Sequence, residues 1–330
     1  MSESHQTPLL GVRGLKVHFP IRRGVFARQV GSVLAVDGVD FTIAPGETLG
    51  LVGESGCGKS TLGRSLIRLE KPTAGSIHLE GREITRLSPR ELRPLRRKMQ
   101  IVFQDPFSSL NPRLRVGASV MEPLGNFERL TPSALRERTA DLFAKVGLSA
   151  DAMDKFPHEF SGGQRQRLGI ARALSVQPKL IVADEPVSAL DVSVQAQVIN
   201  LMLKLQRELG VAYVFISHDL AVVEHVSHRV AVMYLGRIVE IGPRDDLFTQ
   251  PLHPYTLALL AAAPVPDPGN KVQRNIVRGD VPSPSNPPPG CHFHTRCAQA
   301  GARCRREAPV LASNAGEHAV ACHLYAGGTA

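Results

Sequence analysis

Tryptophan is absent from this 330-residue chain, and aromatic residues make up only 5% of it. That scarcity bears on how the charge is read. Lys and Arg number 39 against 30 Asp and Glu, a net charge of +9, which suits an anionic partner: nucleic acid, a nucleotide or the negative face of a membrane. The densest basic cluster, Arg93, Arg96, Arg97 and Lys98, contains no aromatic residue. Proteins that grip single-stranded nucleic acid interleave stacking rings with their positive charge. The cluster therefore reads as a solvated helix face near a membrane surface, and nucleic acid is not expected as a partner. Long apolar runs are also missing. The best, Tyr255 to Ala263, is half of what a membrane span needs and stops at Pro264. The N-terminus lacks the basic head and apolar core of a signal peptide, so a cytoplasmic location is expected. There is no internal repeat and no heptad run. Cysteines number five, and in a reducing compartment metal or cluster binding is the expected use rather than disulfides.

The remaining composition, 43% hydrophobic and 21% charged, supports a sizeable buried core and excludes global disorder. Thr48 to Val52, Leu180 to Ala183 and Ala212 to Ile216 are short apolar runs that read as strands buried on both faces. Ala196 to Leu209 carries Val198, Leu201, Met202 and Leu205 on one helical face. The alternation predicts an α/β domain with a largely parallel sheet. Val230 to Tyr234 and Arg237 to Ile241, joined across Leu235 and Gly236, read as a terminal hairpin. Near residue 250 the composition changes. Ten of the 25 prolines fall between Pro251 and Pro289, which reads as an extended, stiff connector, and four of the cysteines follow it. The expected division is residues 1–250 as the main domain and 251–330 as a small accessory domain.

Gly53, Glu54, Ser55, Gly56, Cys57, Gly58, Lys59, Ser60 and Thr61 match G-x-x-x-x-G-K-[ST] directly after an expected strand. Backbone N–H groups of such a loop close around the β-phosphate of a nucleotide, and the following helix adds its positive dipole end. Lys59 would hold the β- and γ-phosphates, with the Ser60 hydroxyl on Mg²⁺. Leu180 to Asp184 and Glu185 form an apolar strand ending in two carboxylates. There Asp184 can hold Mg²⁺ through water while Glu185 orients or deprotonates the attacking water. Ser161, Gly162, Gly163 and Gln164 open a second glycine-rich helix, with Ser161 a natural N-cap.

With Ser-Gly-Gly-Gln-Arg ahead of a strand ending in Asp-Glu, the chain resembles the ABC ATPases. The resemblance extends in order along the chain. Gln104 matches the Q-loop glutamine, implied to touch Mg²⁺ and the attacking water. Asp191, in Ser188-Ala-Leu-Asp191, matches the D-loop, and His218 the switch histidine at the γ-phosphate. Phe19 falls where the family stacks an aromatic on adenine, with Phe26 as a rival. The fold so implied is a P-loop NTPase of ABC type with a helical subdomain at about 105–175. Two such domains would pair head to tail, each ATP lying between one chain's phosphate loop and the other's Ser-Gly-Gly-Gln. In-line attack by water would then drive a membrane partner, with Lys59, Mg²⁺ and His218 meeting the transition-state charge.

Pro106 to Arg113, His253-Pro-Tyr-Thr256, Gly279 to Pro284 and Pro287-Pro-Pro-Gly-Cys291 are similar to the ATP-binding subunits of dipeptide and oligopeptide ABC importers, the F-type class in particular. This implies a second ATPase chain, a related D-type subunit, together with two transmembrane permease subunits and a periplasmic solute-binding protein. The chain would sit on the cytoplasmic face of the inner membrane. Nickel or another small nutrient is the alternative solute. A soluble ABC ATPase acting on DNA or ribosomes is the alternative class, although such proteins carry coiled-coil insertions, zinc modules or paired ATPase domains not seen here. A nucleotide-binding module without turnover is disfavoured by Glu185 and His218.

Cys291, Cys297, Cys304 and Cys322 are spaced C-x5-C-x6-C-x17-C. Four thiolates suit tetrahedral Zn²⁺ or an iron–sulfur cluster, and the absence of C-x2-C pairs weighs against zinc. His292, His294 and His323 are possible substitute ligands. The family resemblance implies a structural [4Fe–4S] cluster on the four cysteines. Cys57, inside the phosphate loop, reads as a packing residue whose thiol would make an ATPase sensitive to alkylation.

Overall fold

The computed structural model describes residues 7–26, 28–105, 110–262 and 279–325. Pro106 to Ser109 of the importer-like segment, and the middle of the proline-rich stretch, lie outside them. The chain divides into two compact units.

One unit takes Leu10–Thr42, Thr48–Thr85 and the chain from Ser217 onward. It holds β1 (Leu10–Arg23), β2 (Arg28–Ile43), β4 (Ala74–Leu79) and β5 (Arg82–Glu83), ordered β2-β1-β4-β5. Leu10, Val12, Leu15 and Val17 of β1 are buried. Their alternation slips by one residue at a bulge between Arg13 and Lys16, where Gly14 takes φ +52°. A second set of strands runs β11-β12-β10-β9-β3. β3 (Thr48–Val52) pairs in parallel with β9 (Arg229–Tyr234), and β9 is antiparallel to β10 (Arg237–Pro243). The expected hairpin is present but not terminal. β12 (His318–Val320) adds to the far side of β10, and β11 (Ala312–Ala315) to β12, so the chain end covers what would be an open edge. Helices α1 (Lys59–Leu66), α7 (Leu220–Val226), α8 (Arg244–Thr249) and α9 (Pro254–Ala262) complete the unit.

Helix α9 corrects the reading of Pro251 onward as an extended connector. Pro254 is its first residue, a position where a missing N–H costs nothing. His253 Nδ1 accepts the Tyr255 N–H at 3.0 Å, and the fully buried Glu240 carboxylate accepts the Leu252 and His253 N–H groups at 2.8 and 2.9 Å. The helix start is thus capped from both sides. Glu240 also takes a 2.8 Å bond from His318, tying β10, α9 and β12 through one side chain.

The other unit is built mainly from Arg86–Ile216. Its parallel strands β6 (Met99–Val102), β7 (Leu180–Asp184) and β8 (Ala212–Ile216) lie in the order β8-β7-β6. Every residue of β7 and β8 is buried, as continuous apolar strands covered on both faces must be. Between β6 and β7 come α3 (Val116–Phe127), α4 (Pro132–Lys145), 3₁₀ turns at Ala150–Asp154 and Pro157–Glu159, and α5 (Gly162–Leu174). Helix α6 (Val192–Leu209) starts four residues before the expected stretch. It buries Val198, Ile199, Met202, Leu205 and Gln206, with Leu201 only half-buried at the rim.

The basic cluster also differs from expectation. A short helix α2 (Pro89–Leu92) leads into a 3₁₀ turn, Arg93–Lys98. Arg97 in that turn is partly exposed but also paired: its Nε donates to the Val176 carbonyl at 3.2 Å and its Nη2 reaches the Glu128 carboxylate at 2.7 Å. Glu128, shared with Arg138, gives this guanidinium a local partner.

Candidate functional site

β3 delivers the chain into the loop of residues 53–58, and α1 begins at Lys59 with Gly58 as its N-cap. Gly53, Gly56 and Gly58 have φ of +149°, +77° and +107°. At Gly58 a Cβ would collide with the Ala35 carbonyl oxygen, so the loop needs glycine for both conformation and space. Lys59 is buried, and its ammonium donates to the carbonyls of Gly53 at 2.7 Å and Glu54 at 3.0 Å. These bonds wrap the loop about a single positive charge. Ser60 and Thr61 occupy the next positions in the first turn of α1, both half-buried, while Ser55 and Gly56 are exposed at the loop's tip. Cys57 is buried, and burial pushes its thiol above the ordinary range against the pull of Lys59. A neutral buried thiol is a poor nucleophile, which corrects the expectation of easy alkylation.

Glu54 is bound on every side. Its N–H donates to the Tyr255 hydroxyl at 2.8 Å, and its carbonyl accepts from Lys59 and, at 3.3 Å, from the Cys57 N–H. Its carboxylate takes two bonds from the Arg296 guanidinium, at 2.8 and 3.0 Å. Nothing in the local sequence pattern signals these partners, which come from α9 and from the cysteine-rich segment. In the same unit His218 is exposed, two residues beyond the end of β8. Phe19 on β1 is 40% exposed, and Phe26, in the turn between β1 and β2, is 86% exposed.

In the other unit β7 ends at the buried Asp184, and Glu185 follows with φ +48°. The Glu185 N–H bonds to the Ile216 carbonyl at 3.0 Å. Gln104, just beyond β6, donates from Nε2 to the Glu185 carboxylate at 3.0 Å. Two residues 81 apart in sequence are thus brought together. Ser161 caps α5 in a reciprocal box with Gln164, the hydroxyl accepting the Gln164 N–H at 3.3 Å while the Gln164 amide oxygen accepts the Ser161 N–H at 2.9 Å. Ser161 and Gln164 are exposed. Gly163 is buried, and a Cβ there would strike the Val194 side chain at the start of α6. The glycine therefore serves helix packing as well as an open helix start. Asp191 is exposed at the N-cap position of α6.

Cys291, Cys297, Cys304 and Cys322 line one small cavity, together with His294, Phe293 and Leu324. Cys291 and Cys304 are joined through backbone, the Cys291 N–H donating to the Cys304 carbonyl at 2.8 Å. Burial raises the Cys291 thiol to about 11, helped by the three other thiols nearby. His292, His294 and His323 each direct a ring nitrogen at a backbone carbonyl, of Leu235, Cys291 and Glu307 respectively. Phe293 packs against Tyr234, Tyr255 and His253, seating the cysteine segment on β9 and α9.

A family model described as ABC transporter matches residues 36–188, and one described as oligopeptide/dipeptide transporter, C-terminal region, matches residues 239–304. The chain is 58% identical to a probable peptide ABC transporter ATP-binding protein, y4tS, of Sinorhizobium fredii, over 96% of this chain and 90% of that one. The chain belongs to the ABC transporter ATP-binding proteins. The oligopeptide transport ATP-binding protein AppF of Bacillus subtilis is 53% identical over 98% of this chain and all of its own. The dipeptide transport ATP-binding protein DppF of Escherichia coli is 51% identical over 96% and 94%. A dimeric ABC cassette, MJ0796, solved in a post-hydrolysis state with ADP and Pi, superposes with a TM-score of 0.63 at 28% identity, over 71% of this chain and 98% of that one.

The fold is thus the P-loop fold of an ABC ATPase with an added C-terminal region, and the chain is an ATPase. Mg²⁺ takes one or two protein oxygens and fills its octahedron with phosphate and water; one unit carries an oxygen donor of that kind in the half-buried Ser60 hydroxyl, and the other unit, by itself, one in the buried Asp184 carboxylate. Among the described residues no three His, Cys, Asp or Glu side chains are grouped so as to hold a metal ion. The four cysteines line one cavity, and thiols are the donors that both zinc sites and iron–sulfur clusters take. Among the described residues no helix is long and apolar enough to cross a membrane.

Proposed function

We propose that this ABC ATPase powers the import of dipeptides or oligopeptides across a bacterial inner membrane from its cytoplasmic face. The observation that supports the solute class is the length of the likeness: more than 50% identity to peptide-transport ATPases persists across the chain, including the C-terminal region. Residues 1–250 form the ATPase domain, with a helical subdomain at about 105–175, and residues 251–330 form the accessory domain. Near-equal identity to AppF and DppF leaves both peptide lengths within the proposal.

ATP is held by the backbone of Gly53 to Thr61 and by Lys59, which exchanges its loop carbonyls for β- and γ-phosphate oxygens. Phe19 stacks on adenine. Ser60, Asp184 and Gln104 hold Mg²⁺, which supplies charge neutralisation at the phosphates. Glu185 would take a proton from the attacking water, and Gln104, which donates to the Glu185 carboxylate, would help to hold Mg²⁺ and orient that water. His218 meets the γ-phosphate. Ser161 to Gln164 and Asp191 act across a dimer, at the ATP of a second ATPase chain of the D-type class. Two permease subunits and a periplasmic binding protein complete the assembly. Cys291, Cys297, Cys304 and Cys322 bind a structural [4Fe–4S] cluster, whose four corners suit ligands spread around a cavity. Anaerobic purification yielding zinc without iron or acid-labile sulfide would overturn the cluster.

Uptake of labelled dipeptide and labelled pentapeptide in the native host, with chromosomal Glu185→Gln against wild type, tests the function. Loss of either uptake is expected. Normal uptake of both, with no redundant importer, moves the solute to nickel chelates or another nutrient.

A further inference from the structure

Among the residues of the phosphate loop, Glu54 is the one whose backbone N–H, carbonyl and carboxylate are all committed at once. Two of its four partners, Lys59 and Cys57, belong to the loop. The other two, Tyr255 and Arg296, lie 201 and 242 residues downstream. Arg296 is 7% exposed and Glu54 28%, so the pair is largely withdrawn from water, where a bidentate guanidinium–carboxylate contact holds geometry as well as charge. The guanidinium is itself fixed. It lies 5.9 Å from the ring centroids of both Tyr234 and Phe293, and a 3.4 Å bond reaches the Tyr234 hydroxyl. Among the described residues its Nε is buried with no partner and Glu54 is the one carboxylate it meets. Tyr255 is equally constrained, being buried between Tyr234 and Phe293. The downstream region therefore presents two rigid groups to one residue of the loop, and that residue's carbonyl in turn holds Lys59.

We propose that Arg296 and Tyr255 are positioning residues for the phosphate loop, which set nucleotide affinity by locking the backbone of Glu54 and with it the turn that presents the loop's N–H groups. The proposal rests on the reading of residues 53–61 as the ATP site. Neither residue touches the nucleotide. Their effect is to hold the loop in its phosphate-ready form before ATP arrives, so that binding pays no ordering cost. The accessory region is then a working part of the ATP site rather than an appendage.

Calorimetric titration of the full-length chain with ATP and Mg²⁺ tests this, using Arg296→Met, Glu54→Gln, the double variant, Arg296→Lys and Tyr255→Phe. Each of Arg296→Met and Glu54→Gln should weaken ATP about 10-fold. The double variant should also be weaker about 10-fold rather than about 100-fold, because the two act through one contact. Arg296→Lys should recover part of the loss. Tyr255→Phe keeps the ring, removes one oxygen and should weaken ATP several-fold at unchanged thermal stability; it carries the test where an Arg296 variant fails to fold. Wild-type affinity in Arg296→Met or in Tyr255→Phe, or fully additive losses in the double variant, would overturn the proposal. Absence of ATP binding by the wild-type chain would instead overturn the ATP-site reading itself.

Discussion

The proposed role of Glu185 as acceptor of a proton from water needs a fixed backbone and a side chain that can be released. Glu185 has both: its left-handed φ is held by the bond to Ile216, and its carboxylate is parked on the Gln104 amide. Glu185→Gln should lower ATP turnover more than 100-fold while ATP binding stays within a few-fold, read by phosphate release and calorimetry. Gly58→Ala places a methyl group against the Ala35 carbonyl at φ +107°. It should cost about 3 kcal/mol in denaturant unfolding and abolish ATP binding. Asp37 supplies a pH test. Burial alone would raise its carboxyl, but Arg237 and then Lys16 outweigh that and bring it down to about 2, from 3.8. A folded value below the unfolded one means that the stabilisation is complete above about pH 4 and is lost as the pH falls through 2. Asp37→Asn should therefore be less stable at pH 7 and should flatten the acid limb between pH 4 and 2.

Whole elements were legible in the sequence where one physical demand dominated them. β3, β7 and β8 are covered on both faces, so their apolar runs stand out, and the reciprocal Ser161–Gln164 cap marks the start of α5. β1 was not, because the bulge at Gly14 breaks its alternation midway. Helix α9 was hidden by composition: prolines crowd around it, yet Pro254 sits where a helix tolerates one. The start of α9 depends on Glu240, whose buried carboxylate serves two amides and His318. Glu240→Ala strands all three donors and should cost about 3 kcal/mol, measured by thermal and urea unfolding.

Across the whole chain, the ATPase motifs could be read because each is local and obeys a spacing rule. The contacts of Arg296 and Arg97 could not, since an arginine's partner 242 or 79 residues away leaves no trace in local periodicity. The four cysteines fell between, grouped by sequence but given a common cavity only by the fold. The heteromeric proposal belongs to this scale. Light scattering of the Glu185→Gln chain with ATP should report the 35.7 kDa monomer until the related ATPase chain is added, and a heterodimer afterwards. A stable homodimer of this chain alone would overturn that pairing.

The bond between Glu54 and Arg296 also has a consequence for synthesis on the ribosome. At about 5–20 residues per second, the 242 residues between them take on the order of ten to fifty seconds to translate. Throughout that interval the phosphate loop has been made but its guanidinium partner has not, and the outer edge of β10 waits still longer for β12. A prematurely terminated chain ending before residue 296 would carry every ATPase motif and an unlocked loop. On the proposal above, nucleotide binding reaches full strength only once Arg296 has been made, a built-in delay between making this ATPase and arming it.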